Sequence, residues 1–163
     1  MRAAGVDVMV GDGAQQSKEL NIGFFSRMQR KRPWMRMKMA ISLDGQTGLE
    51  NGQSQWITSE QARTDGHTWR ARACAILTGA GTVIQDKPLL DVRLVPTQRQ
   101  PQAILIDSRL DCDVESAFFN QARPYHIFFA NASPEKQKLW KEKAKKSVMP
   151  WRFQSIADEN HKV

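Results

Sequence analysis

A glycine turn behind a short apolar run is the first feature whose residue types could bind a phosphorylated ligand. Gly79-Ala80-Gly81 follows Ala75-Ile76-Leu77, at the place beyond a strand where α/β proteins bind ligands. Glycine lets the backbone approach a phosphate closely, and free N–H groups at a helix start can hold it. The third glycine of the dinucleotide fingerprint would fall at Ile84, so that motif is not matched. Phosphate binding and a plain tight turn therefore both stay open.

The charged stretch that follows adds residues that bind anions. Asp86 to Arg93 carries four charges around Pro88. An arginine guanidinium group is planar and donates two parallel hydrogen bonds to phosphate oxygens. Arg70, late in the preceding predicted helix, and Arg93 could hold one phosphate together. A plain surface loop has the same composition, so this alternative stays open.

Other polar and aromatic groups could complete a pocket. Ser54-Gln55-Trp56 supplies a hydroxyl, an amide and a flat aromatic face near a predicted helix start. Tryptophan more often packs in a core, which is the alternative for Trp56. The carboxylates that could serve as acid or base are Asp44, Asp86 and Asp91.

Metal and nucleophile chemistry has little support in the sequence. The three histidines are His67, His126 and His161, and none has a close carboxylate or cysteine partner along the chain. A metal site and a Ser-His-Asp triad therefore have no local support. Each histidine is interpreted as exposed or structurally satisfied, although His67 shares a predicted helix with Arg70. Cys74 and Cys112 are isolated, without the spacing of zinc ligands or of a disulfide framework.

Composition is that of an ordinary folded domain. The chain has 163 residues, of which 40% are hydrophobic and 25% charged, enough for one domain with a real core. Its longest apolar runs, such as 127–130, span only a few residues, so we expect no membrane-spanning helix. The first residues contain no apolar segment typical of a secretory signal, and a reducing cytoplasm is the expected location.

The formal net charge of +7 is concentrated near the end of the chain. Six lysines fall between Lys136 and Lys146, countered there by Glu135 and Glu142. One interpretation is a patch for nucleic acid or another acidic partner. The favoured one is a solvated helix face, because no aromatic ladder or nucleic-acid motif accompanies the charge.

Residues 1–32 are predicted to form one strand and one helix. Val6, Val8 and Val10 alternate with Asp7 and Met9, which predicts a short strand. Ser17 is the predicted cap of a helix that ends before Pro33. A lone strand–helix pair cannot bury both its faces, so we expect this segment to pack on something else.

After Pro33 the pattern is that of an α/β domain. Met35, Met37 and Met39 alternate with basic residues, which predicts a half-buried strand. Asp44-Gly45 and Asn51-Gly52 predict turns. A helix is predicted from Thr58 to Arg72, strands over 74–77, 103–106 and 126–130, and a lysine-rich helix after Ser133-Pro134. Alternating strands and helices predict a mostly parallel or mixed sheet.

Several of these blocks, in their order and spacing, resemble the reductase domain of the RibD family of bifunctional riboflavin-biosynthesis proteins. The blocks are Lys38 to Gly45, Gly52 to Thr58, Arg70-Ala71, Ile76 to Val83, Asp86 to Leu90 with Arg93, and Gln102 to Ser108. The resemblance covers Pro33 to about Ala130 well and is weak beyond it. It implies a dihydrofolate-reductase-like α/β fold, a mixed sheet flanked by helices, with residues 33–163 as the reductase domain.

The resemblance also implies a reaction and the residues that serve it. The reaction is NADPH-dependent reduction of 5-amino-6-(5-phosphoribosylamino)uracil, whose ribosyl group becomes a ribityl chain. The family's cofactor-contacting positions are matched by Ala40, Trp56, Thr82, Asp86 and Ser108. Its substrate-contacting positions are matched by Ser54, Arg70, Leu90 and Arg93. Lys38 and Asp44 are motif residues that would orient the site or help proton delivery. No nucleic-acid or membrane partner is expected, and a homodimer stays open.

Both ends of the chain depart from the full family pattern. Residues 1–32 resemble the last part of the cytidine-deaminase-like domain that precedes the reductase, without its zinc-binding motifs. Nothing in residues 131–163 matches the family's later Glu-x-Gly segment and glycine-containing loop, so a truncated reductase domain is expected. The alternatives are an inactive fragment or interaction module of the same fold and, less favoured, a basic nucleic-acid-binding protein.

Overall fold

The structure, a computed structural model, describes residues 1–54 and 56–156 of the chain. Its compact units are Met1–Ala40 and Ile41–Val163. Gln55 and His161, which entered the sequence predictions, lie outside the described residues. None of the described helices is both long and apolar enough to cross a membrane.

The first unit is helical where it is regular. It contains a 3-10 turn at Arg2–Ala4, helix α1 at Ala14–Leu20 and helix α2 at Ile22–Arg30. The predicted single helix capped by Ser17 is therefore wrong, because the backbone breaks at Asn21. The Asn21 side-chain amide donates to the Ser17 carbonyl at 2.9 Å, beside its own backbone N–H at 3.1 Å. Asparagine commonly competes with helical backbone pairing in this way.

The two strands predicted in this unit are also wrong. The Val6–Val10 segment and the Met35–Met39 segment form no strand, and Met35, Met37 and Met39 are 66%, 80% and 54% exposed. A strand is stable only when a neighbour pairs its backbone and one face is buried. Within the first unit, the described residues supply no strand for either segment to pair with.

The second unit is an α/β layer. Its elements are α3 (Glu60–Arg72), β1 (Ala75–Gly79), α4 (Ala80–Asp86), β2 (Gln102–Ile106), a 3-10 turn (Ala117–Asn120), β3 (Tyr125–Phe129), α5 (Pro134–Lys146) and β4 (Trp151–Ser155). The four described strands lie in the order β1-β2-β3-β4, each parallel to the next. The predicted α/β class is confirmed, and the three predicted strands are found within two residues of their ends. The sequence prediction did not include β4.

Capping serines determine where two helices begin, and glycines determine where two turns form. The Ser59 hydroxyl accepts the Ala62 N–H at 3.2 Å and caps α3, one residue after the predicted Thr58. Ser133 caps α5 in the same way, as predicted. Both predicted turns are confirmed, since Gly45 and Gly52 each have φ 83, a left-handed backbone that favours glycine.

The core lies on one face of the sheet. Alternate residues of β2 and β3 are buried there: Ala103, Leu105, Tyr125, Ile127 and Phe129. Aromatic side chains complete this core. The ring centroids of Phe119 and Trp140 of α5 lie 5.0 Å apart, and those of Tyr125 and Trp151 of β4 also lie 5.0 Å apart. The face of α5 that buries Trp140 also carries Lys136 and Lys143, which are half-buried, whereas the other four lysines of the helix are exposed.

Ile127→Ala is expected to lower the free energy of unfolding by about 2–5 kcal/mol, because the side chain is wholly buried in β3, one of the two inner strands. Urea denaturation measures the change. The matched control is Val148→Ala, a fully exposed aliphatic residue whose truncation should cost less than about 0.5 kcal/mol. Equal effects of the two substitutions would contradict this account of the core.

Candidate active site

The carboxyl ends of β1 and β2 form one edge of the sheet. Gly79, the last residue of β1, pairs with Ile106, the last residue of β2. Helix α4 begins directly after β1, and Asp107-Ser108 follows β2. The glycine turn and Ser108 thus lie at the same sheet edge, which is where open α/β sheets bind ligands.

Buried Asp107 shapes the loop behind β2. Its carboxylate accepts the backbone N–H groups of Asp111 at 3.0 Å and Cys112 at 2.9 Å. Burial, with the Asp107 charge beside it, raises the pKa of the Cys112 thiol to about 12. Cys112 is therefore a neutral, packed thiol at neutral pH and is unsuited to act as a nucleophile.

The surface at the carboxyl edge of the sheet is open and polar where the predicted cofactor residues lie. The side chains of Thr82 in the first turn of α4, Asp86 at its end and Ser108 are exposed. A Cβ added at Gly79 or Gly81 would meet no atom within 4 Å. A ligand could therefore approach the backbone here closely, so these residues fit a nucleotide cofactor in room and polarity.

A wholly buried arginine, Arg123, anchors the loop Leu89–Arg93, which follows α4. Arg123 donates one guanidinium N–H to the Leu90 carbonyl at 2.7 Å and another to the Leu89 carbonyl. The guanidinium carbon lies 5.3 Å from the Phe118 ring centroid and 5.7 Å from that of Tyr125. These contacts offset part of the cost of burying the charge, since the Arg123 Nε has no hydrogen-bond partner among the described residues. They also hold Leu90 at φ 50, a strained backbone for a leucine.

The two arginines predicted to bind phosphate meet at Asp91. The Arg70 guanidinium donates to the Asp91 carbonyl at 2.5 Å, and Arg93 forms an ion pair with the Asp91 carboxylate. The Arg93 side chain is 50% exposed. The structure thus brings Arg70 of α3 to the anchored loop that carries Leu90 and Arg93.

Two further anchors were absent from the predicted site. Buried His67 accepts the Arg93 backbone N–H at Nδ1, at 3.2 Å. Gln100 forms a reciprocal pair with Val92, accepting its N–H at 2.7 Å and donating to its carbonyl at 2.9 Å. Burial lowers the pKa of His67, and the charges of Arg70 and Arg93 lower it further. The i,i+3 spacing of His67 and Arg70 on α3 was the one sequence signal for these anchors.

Asp44, Ser54 and Trp56 lie in the irregular segment before α3. The Ser42 hydroxyl donates to the Asp44 carboxylate and lowers the pKa of that group. Trp56 is 70% exposed, so the core-packing alternative is wrong, and the Arg63 guanidinium lies 4.4 Å from its ring centroid. Among the described residues, hydrogen bonds and ring contacts join none of the three to the Leu89–Arg93 loop.

Lys38 and Ala40 belong to the first unit, Met1–Ala40. Both stand outside regular structure, Lys38 exposed and Ala40 half-buried. Their predicted roles stay predictions.

The lysines of α5 are partly neutralised by nearby carboxylates. Lys136 lies 2.5 Å from Asp111, Lys143 lies 2.6 Å from Glu115, and Lys145 lies 2.8 Å from Glu142. Three of the six are thus ion-paired, which favours the solvated helix face over a nucleic-acid patch.

A parallel sheet with an open, glycine-lined carboxyl edge, together with an arginine-anchored loop before its second strand, defines an α/β domain of a ligand-binding type. Residues 33–157 match the family model described as the RibD C-terminal domain. The chain belongs to this family.

Known relatives agree with that membership. Riboflavin biosynthesis protein RibD of Aquifex aeolicus is 38% identical over 143 residues, covering 88% of this chain and 40% of the relative. The Escherichia coli protein of that name is 37% identical over 162 residues, covering 92% and 43%. The chain thus spans less than half the length of these relatives.

Solved structures show the same fold. The deaminase/5-amino-6-(5-phosphoribosylamino)uracil reductase of Thermotoga maritima matches with a TM-score of 0.72 at 25% identity, over 94% of this chain and 48% of that one. Acinetobacter baumannii RibD matches with a TM-score of 0.68 at 26% identity, over the same shares.

Replacing Arg123 with methionine should loosen the Leu89–Arg93 loop, because two carbonyl groups lose a charged donor. We expect the free energy of unfolding to fall by about 1.5–3 kcal/mol. Amide hydrogen exchange should also become faster in the loop. Lys141→Met removes an exposed positive charge and should leave both quantities nearly unchanged. Unaltered exchange in the Arg123 variant would contradict the anchoring role.

Proposed function

We propose that this chain carries the reductase function of its family. The reaction is NADPH-dependent reduction of 5-amino-6-(5-phosphoribosylamino)uracil to its ribitylamino form in riboflavin biosynthesis. The observation that carries the proposal is the convergence of Arg70 and Arg93 on one anchored loop. Family membership of residues 33–157 and the reductase activity for which the Thermotoga maritima protein is named support it.

The loop is suited to the phosphate group of such a substrate. Three guanidinium groups, those of Arg70, Arg93 and Arg123, contact it, and the Asp91 carboxylate pairs with one of them, Arg93. Burial, then the Arg93 charge, lowers the pKa of Arg70, so positive charge is in surplus here. A phosphate dianion would relieve that surplus. The contacts of Ser54 and Leu90 with substrate are proposed on the resemblance alone.

The cofactor side is proposed at the carboxyl edge of the sheet. Thr82, Asp86 and Ser108 would hold NADPH there, where Gly79 and Gly81 leave room for close backbone approach. The remaining cofactor contacts, Ala40 and Trp56, rest on the resemblance. NADPH, when bound, supplies the hydride that reduces the ribosyl group.

The proposed proton-handling residues differ in chemistry. The hydrogen bond from Ser42 keeps the Asp44 carboxyl group ionised at neutral pH, since it lowers that pKa. Asp44 is therefore better suited to orienting a charged partner than to donating a proton. Lys38 carries an ammonium group, which can donate one.

A second candidate function is an inactive fragment or interaction module of the same fold. It is favoured by the share of the relatives that the chain spans, 40% and 43%. Cofactor binding discriminates between the two candidates. The assignment of residues 1–32 to a deaminase remnant, a homodimer and a cytoplasmic location stay predictions.

NADPH added to the full chain should raise its melting temperature and quench tryptophan fluorescence. At a hundredfold excess over Kd, binding to the folded state alone stabilises it by about 2.7 kcal/mol. NADH is the matched comparison for the 2′-phosphate. If saturating NADPH changes neither signal, the inactive-fragment candidate replaces the reductase.

Arg93→Ala should weaken binding of the phosphorylated substrate by about 1.5–3 kcal/mol, because a hydrogen-bonded charge is lost. Isothermal titration calorimetry measures the affinity. The dephosphorylated compound should bind the variant and the unchanged chain alike. Arg99→Ala removes an exposed arginine outside the loop and serves as the control. An unaltered affinity for the phosphorylated compound would refute the role of Arg93.

A further inference from the structure

We propose that His67 is a positioning residue whose neutral imidazole holds the Arg93 backbone, so that its protonation weakens phosphate binding. The inference rests on the proposed function, because Arg93 must be the residue that binds the phosphate. His67 would not touch the ligand itself.

The geometry demands a particular form of the imidazole. His67 is buried on α3, and its Nδ1 lies 3.2 Å from the Arg93 backbone nitrogen, which donates its N–H. Only an unprotonated nitrogen can accept that hydrogen bond. An imidazolium carries an N–H at both nitrogens, so protonation replaces the attraction by two opposed donors.

His67 acts on Arg93 specifically, since the rest of the loop has its own anchors. Gln100 pairs with both backbone groups of Val92, and Arg123 holds the carbonyls of Leu89 and Leu90. Losing the His67 bond would therefore free the end of the loop that carries the Arg93 side chain, while the start of the loop stays in place.

The charges around His67 set the direction of the pH effect. Arg70 lies on the same helix, and Arg93 and Asp91 face it from the loop. Burial and the two arginines lower the pKa of His67, so the folded chain binds this proton more weakly than the unfolded one. The positioned state is thus present at neutral pH and is lost as the pH falls below about 6.5 towards the lowered pKa.

The substitution His67→Asn separates the effect of protonating residue 67 from the effect of losing its hydrogen bond to Arg93. Asparagine offers a carbonyl acceptor near the position of Nδ1 and does not titrate. His67→Leu removes the acceptor. His126→Asn is the matched control, because burial also lowers the pKa of His126, which stacks on Phe128 at 4.3 Å in β3.

The test is the affinity of the full chain for ribose 5-phosphate between about pH 4.5 and 8, a range that extends well below the ordinary pKa of histidine because the pKa of His67 is lowered. His67→Asn should bind like the unchanged chain at the upper end, and His67→Leu about five- to tenfold more weakly, a factor of ten being about 1.4 kcal/mol. On acidification, the unchanged chain and the His126 variant should lose several-fold more affinity than His67→Asn does. Comparing chains cancels the ionisation of the phosphate itself, whose second pKa is about 6.

Three outcomes would contradict the proposal, and each contradicts a different part of it. Parallel pH profiles of the unchanged chain and His67→Asn overturn the positioning role while leaving the phosphate site intact. An affinity that rises on acidification only when His67 is present shows simple charge attraction instead. No binding of ribose 5-phosphate by the unchanged chain at any pH overturns the phosphate site itself, and the positioning role with it. Amide exchange at Arg93, slow in the unchanged chain and His67→Asn but fast in His67→Leu, gives a second readout.

Discussion

Arg123 brings a positive charge into the core of the second unit, and the geometry of the site follows from how that charge is accommodated. No carboxylate pairs with it among the described residues; two backbone carbonyls and two aromatic faces take that place. A buried charge without partners is very costly, so any loop movement that withdrew the carbonyls would be opposed strongly. A segment without helix or strand thereby acquires one conformation, including a leucine at positive φ.

The parallel sheet explains why residues far apart in sequence hold one loop. Each crossover returns the chain to the end of the sheet where the next strand begins, so the amino ends of successive strands lie side by side. Arg70 precedes β1, the Leu89–Arg93 loop and Gln100 precede β2, and Arg123 precedes β3. The loop is thus held at the amino ends of the strands, at the opposite end of the sheet from the glycine turn and Ser108. Its geometry depends on residues that need make no contact with a ligand.

Local sequence signals were enough to predict part of the fold. Helix α5 follows from Ser133-Pro134, and the turns follow from Gly45 and Gly52, because capping and positive φ are properties of a few neighbouring residues. The strand predicted at Met35–Met39 failed because alternation describes a surface that could be buried and says nothing about whether a partner strand is present. The anchoring roles of Arg123 and Gln100 could not be predicted for a related reason: their hydrogen-bond partners lie on another part of the chain, which only the folded structure brings close. The proximity of Arg70 and Arg93 was expected from their residue type and family spacing.

Asp91 contacts both Arg70 and Arg93, and these contacts affect how a phosphate could bind. Its carbonyl holds Arg70, and its carboxylate holds the half-exposed Arg93. Water reaches this ion pair from the Arg93 side, which is 50% exposed, whereas the Asp91 side chain is only 15% exposed. Under the proposed function, a phosphate would therefore approach Arg93 from its exposed side, where the guanidinium group is already oriented by Asp91. Arg70 would keep its backbone contact throughout. Pre-orientation of this kind lowers the entropic cost of binding, which makes the backbone anchors of the loop as important to affinity as the arginines that they position.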